Sequence, residues 1–144
     1  MRARNIRIAL LIIDAFVAVT AVVGGLALVT GLEGDRFPLT LLESTPFSSY
    51  VLPGLILMVV VGGSASIAVA ALLRGLDRGA PASIVAGAIL IGWIIGEALL
   101  LHQRSWFEAF YVALGVTMAA LGLAGNWTQR KRRLAPSDRS MAGV

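Results

Sequence analysis

The chain has 144 residues, of which 58% are hydrophobic and 14% charged, with a formal net charge of +4. Soluble domains carry about 45–50% apolar and about 25% charged residues, so this composition excludes an ordinary water-soluble fold and requires a lipid solvent. The absence of cysteine excludes disulfide scaffolds, iron–sulfur clusters, thiolate zinc sites and thiol redox chemistry. The basic residues flank apolar runs instead of covering one face, which points to lipid head groups and away from nucleic acid.

Taken in chain order, the first apolar run covers residues 6–30, with Arg2 and Arg4 before it and Arg7 at its start. At ~24 residues it is too long for a typical signal-peptide core, so it reads as a retained signal-anchor helix. Residues 31–49 form the longest connection. They carry Glu33, Asp35, Arg36 and Glu43 among Phe37, Leu39, Leu41, Leu42 and Phe47, a mixture suited to a loop resting on the membrane surface. Thr45-Pro46 has the character of a helix start, a capping side chain followed by a proline at the first helical position. The second span is expected over 50–73, with Pro53-Gly54 early in it as a kink or start signal.

Residues 74–81 (RGLDRGAP) read as a short basic turn, and the third span is expected over 83–101. A brief connection precedes a fourth span over 107–125. The four-helix domain thus ends near residue 127, and residues 128–144 form a basic tail whose composition predicts disorder. Ten basic residues lie at the N-terminus, in the 74–81 turn and in the tail, against two, Arg36 and Arg104, in the other connections. The positive-inside rule then predicts an all-α membrane protein with four transmembrane helices in an up-down-up-down bundle, both termini cytoplasmic. The preponderance of Arg over Lys, with abundant Ala, Gly and Val, points to a high-GC bacterial source and so to the cytoplasmic (inner) membrane.

Helices in lipid associate through small residues that let backbones approach. Ala88, Gly92 and Gly96 make a four-residue-spaced stripe on the third span, and Gly62, Ser66 and Ala70 make another on the second. Gly115 and Ala119 on the fourth span and Gly24-Gly25 on the first are further candidates. Packing within the bundle is the favoured reading of these stripes; a homodimer surface is the other.

Two carboxylates interrupt the apolar runs, and an ionisable group in hydrocarbon usually faces protein or water. Asp14 lies ~10 Å into the first span beyond Arg7, and Glu97 lies ~21 Å beyond Ser83 in the third, so they fall in different membrane halves and are not expected to pair. Each is either a proton- or cation-binding group or a structural carboxylate. The structural partners expected are Arg7, Arg74 or Arg78 for Asp14, and Arg104 or Arg36 for Glu97. Trp93 lies one turn before Glu97, and His102, Gln103 and Arg104 follow it. His102 is the only histidine, which excludes multi-histidine haem or metal sites within one chain, and no metal or cofactor is expected. A rim site of Glu97, His102 and Glu108 has no recognised ligand spacing. Arg130, Lys131, Arg132 and Arg133 read as a membrane anchor on anionic lipid. No phosphate-binding loop, nucleophile elbow or zinc-protease motif occurs.

The stretches PFSSYVLPG at 46–54 and GWIIGE at 92–97 resemble those of uncharacterised small bacterial inner-membrane proteins with four predicted spans, a resemblance that covers most of the chain and implies no activity. Small multidrug transporters are similar in size and carry a carboxylate in the first span, where Asp14 stands here, but the long first loop departs from their pattern. The leading expectation is a non-enzymatic protein acting by helix association, as an accessory subunit or homo-oligomer. The lipid bilayer and a membrane-protein partner or second copy are its expected contacts. The rival is a small proton- or cation-coupled transporter using Glu97 and Asp14, and a weaker third is a membrane enzyme with its site under the 31–49 loop.

Overall fold

A computed structural model describes residues 3–32, 39–43, 46–75, 77–101 and 106–134. The described chain is helical, and four helices are long and apolar enough to cross a membrane. They are α1 (Ala3–Thr30), α2 (Val51–Leu73), α3 (Gly79–Leu101) and α4 (Trp106–Leu134). A short 3₁₀ turn, Leu39–Leu42, lies between α1 and α2 and tucks Leu42 inward. Helices suit such apolar sequences because each backbone donor and acceptor is satisfied within the segment, which lipid cannot do.

The ends differ from the sequence expectation for identifiable reasons. α2 begins at Val51 with Tyr50 as its cap residue, five residues after Pro46, so Thr45-Pro46 does not start it; Thr45 itself lies outside the described residues. Pro53 falls in the first turn of α2, where its missing donor has no intrahelical acceptor to lose. α3 starts at Gly79 instead of residue 83, and Pro81 is accommodated in its first turn in the same way. α4 runs on through Trp127 and the basic cluster to Leu134, so residues 128–134 of the expected tail are helical. Its 29 residues span ~43 Å against a hydrocarbon thickness of ~30 Å, and hydropathy marks only the immersed part. The remainder of the expected tail lies outside the described residues.

α2 contains a π-helical stretch, Leu57–Gly62. Gly54 and Gly62 both face α1, although eight residues at 3.6 per turn overshoot two full turns by about 80°. The wider π turn absorbs one residue, reduces the offset to about 20° and so returns both glycines to one face. A Cβ on Gly25 would stand 2.5 Å from the Gly54 carbonyl oxygen and one on Gly54 would stand 2.7 Å from that of Gly25, so the two backbones touch there. A Cβ on Gly62 would meet Val22 at 2.9 Å.

α3 and α4 approach equally closely. A Cβ on Gly87 would lie 2.7 Å from the Gly115 carbonyl oxygen, and one on Gly122 2.5 Å from Ile84 and 2.9 Å from the Ala80 carbonyl oxygen. α1 packs on α2 and α4, and α3 packs on the same two, giving a four-helix bundle in which α1 and α3 meet across the middle. Its centre is filled by Val17, Val61, Leu90, Ile94 and Met118 among small Ala18, Ala65, Ala68 and Ala86. The outside is apolar on every helix, with Ile12 and Val19, Val59 and Ile67, Val85 and Leu99, and Val116 and Leu123 exposed. Such a continuous apolar exterior matches a lipid solvent.

One end of the bundle gathers the first residues of α1, the 74–78 turn and the last turns of α4, and is here called the basic end. There α2 stops at Gly75, whose φ of 67° is the left-handed conformation that closes a helix C-terminus. Arg7 completes that closure, donating from Nε to the Leu72 carbonyl (2.8 Å) and from Nη2 to that of Leu73 (3.1 Å). A cation over the exposed carbonyls also complements the helix dipole. α1 ends at Gly31 in the same conformation, with Leu32 N–H bonded back to the Ala27 carbonyl.

Candidate functional site

Asp14 sits on the buried face of α1, in line with Leu10, Val17, Ala18 and Ala21, and is 0% exposed. Facing it is Ser83, one turn into α3 and also 0% exposed. The Ser83 hydroxyl donates to Asp14 Oδ2 at 2.6 Å and lies 3.3 Å from the Gly79 carbonyl oxygen. Asp14 Oδ1 is buried without a hydrogen-bond partner among the described residues. Burying a polar atom unpaired is costly, so this oxygen is the least satisfied side-chain group among the described residues. The basic partners expected for Asp14 are not used: Arg7 caps α2, and Arg74 and Arg78 are exposed. Asp14 points into the bundle instead of snorkelling to the surface, and a serine from across the bundle replaces the arginine.

Glu97 lies fourteen residues beyond Ser83 on α3, ~21 Å further along the axis. It is half-buried, accepts a hydrogen bond from Trp93 and lies within electrostatic range of Glu108 on α4. Asp14 and Glu97 therefore occupy separate surroundings. Glu43 of the 31–49 loop is exposed after the 3₁₀ turn. His102 and Arg104, and Arg36 with them, lie outside the described residues.

The small-residue stripe of α3 is placed differently from the favoured expectation. Ala88 and Gly92 are exposed, and a Cβ built on Gly92 or on Gly96 finds no atom of another element within 4 Å among the described residues. Packing inside the bundle uses a different face of the same helix, where Ala80, Ile84 and Gly87 fit against Gly115 and Gly122 of α4. On α2 the expected stripe divides: Gly62 packs on α1, whereas Ser66 is exposed and bonds its own helix at the Gly62 carbonyl.

Arg130, Lys131, Arg132 and Arg133 form the final turns of α4, where cations meet the negative end of the helix dipole. Arg133 pairs with Asp77 of the 74–78 turn, and Lys131 lies 5.8 Å above the Trp127 ring. Trp106, stacked on Phe107 at the start of α4, and Trp127 near its end are both exposed, as interfacial tryptophans are.

Sequence reasoning passed over Ser83, Gly87 and Gly122. A hydroxyl at the start of the third span was the available signal for the first. Set against known protein families, characterised proteins and solved structures, the chain matches none.

Proposed function

We propose that this is a multi-pass protein of the bacterial cytoplasmic membrane that works by association in the bilayer, with the outward stripe Ala88, Gly92 and Gly96 of α3 as its contact surface. The single observation that carries this reading is the open space in front of Gly92 and Gly96. Small residues at four-residue spacing let a second helix approach closely, and in lipid that van der Waals contact is the main attraction available. A second copy of the chain is the partner, because a stripe of this kind is self-complementary across a two-fold axis. The facing pairs Gly25 with Gly54 and Val22 with Gly62, then Gly87 with Gly115 and Ile84 with Gly122, support an up-down-up-down order. The ten-to-two distribution of basic residues supports a cytoplasmic basic end.

Because the chain has no cysteine, single cysteines introduced along α3 are unique probes. Oxidative crosslinking in native membranes should join copies through Gly92→Cys and Gly96→Cys, but not through Leu90→Cys on the buried face. Equal crosslinking at all three positions, or none at any, contradicts the reading.

A second reading is favoured by the unpartnered Asp14 Oδ1: Asp14 and Glu97 as proton- or cation-binding groups of a small transporter. It requires ion flux in proteoliposomes that is lost in Asp14→Asn or Glu97→Gln. Flux unchanged by both substitutions removes it.

A further inference from the structure

At the basic end the helices do not close against one another. A cavity of about 530 Å³ opens between the start of α1, the 74–78 turn and the last turns of α4. Its floor is apolar, with Ile6, Leu10 and Leu72, and its walls carry Arg4, Arg7, Arg132 and Arg133 against one acid among the described residues, Asp77. The four guanidinium groups and one carboxylate leave a formal charge of +3 in one concave space.

Two of these cations are engaged: Arg133 pairs with Asp77, and Arg7 commits Nε and Nη2 to the α2 carbonyls. Arg4 and Arg132 have no carboxylate partner among the described residues. They come from opposite ends of the sequence, on α1 and α4, and line the same cavity. Scattered basic residues at a membrane surface satisfy the positive-inside rule without any concavity. A pocket with two uncommitted guanidinium groups is a different object, since the planar fork of Arg matches the oxygens of a phosphate group.

We infer that this cavity is a binding site for a phosphate group, with Arg4 and Arg132 as its principal donors and Arg7 and Arg133 adding charge. The phosphate belongs to a lipid head group, for which the apolar floor and the position at the membrane surface are suited, or to free phosphate in the cytoplasm. Occupancy neutralises the convergence of positive charge and ties the first turn of α1 to the last turn of α4.

The test uses the full chain in uncharged detergent micelles, titrated separately with a short-chain phosphatidylglycerol and with inorganic phosphate. Binding is read by native mass spectrometry and by the change in melting temperature. One phosphate-bearing ligand per chain should bind saturably. The pair Arg4→Gln with Arg132→Gln should weaken it about tenfold or more, the usual worth of charge-assisted hydrogen bonds to phosphate. The pair Arg74→Gln with Arg78→Gln removes the same charge from the same end but outside the cavity, and should leave affinity within about twofold if screened surface charge contributes little. All four side chains are exposed, so these variants keep the fold. Asp77→Asn should tighten binding. Saturable binding of the lipid alone assigns the site to a head group, and competition by inorganic phosphate assigns it to the free anion. Equal weakening by the two arginine pairs, or uptake that never saturates with either probe, overturns the inference.

Discussion

At Asp14 a carboxylate is held among apolar side chains by one serine from another helix, and its second oxygen has no partner among the described residues. Polar contacts between membrane helices are worth less than their surroundings suggest, because the separated helices also find partners; measured couplings average ~0.6 and reach ~1.7 kcal/mol. A double-mutant cycle over Asp14→Ala and Ser83→Ala, followed by reversible unfolding in mixed micelles, should give a coupling within that range. A coupling of zero would mean that the two side chains are neighbours without interacting. The glycines make a sharper contrast. Gly87→Val places carbon against the Gly115 carbonyl and should cost ~1–3 kcal/mol of monomer stability, as overpacking does. A Cβ on Gly92 meets nothing within 4 Å among the described residues, and Gly92→Val should leave monomer stability unchanged in the same unfolding assay.

At the scale of the helix, the π segment of α2 sets which residues face α1. Deleting Val59, an exposed residue within it, would restore α-helical geometry and turn everything beyond by about 100°. Gly62, Ala65 and Ala68 would leave their contacts, so the deletion should lower the melting temperature by many degrees while Val59→Ala changes it little. This dependence explains what the sequence could and could not reveal. Four apolar runs were legible because immersion in lipid demands them. The further helical turns of α4 were not, because residues 128–134 are polar and hydropathy reports immersion, not helicity. The α3 stripe was legible as a shared face, but periodicity does not say which way a face points. Two faces with small residues compete on α3, and the match of Ala80, Ile84 and Gly87 to the glycines of α4 decides between them. Asp14 was legible as a buried carboxylate, whereas its partner depended on how α1 and α3 meet across the bundle.

For the whole molecule, association through α3 requires the α3 stripe to face lipid, and the proposed topology requires the basic end in the cytoplasm. The orientation is checked by impermeant thiol labelling: Glu43→Cys should react in intact cells, and Arg78→Cys only after the membrane is opened. Reaction of both in intact cells would contradict the proposed topology. Association through α3 is tested most directly by Förster transfer between labelled copies in lipid vesicles, measured as protein is diluted into excess lipid. Wild-type chains should show transfer that rises with protein-to-lipid ratio along a dimer isotherm, and Gly92→Leu with Gly96→Leu should abolish it while the helix content and melting temperature of the monomer persist. Transfer that is absent in the wild type, or unchanged in the double variant, would contradict the claim that this face of α3 is where the protein acts.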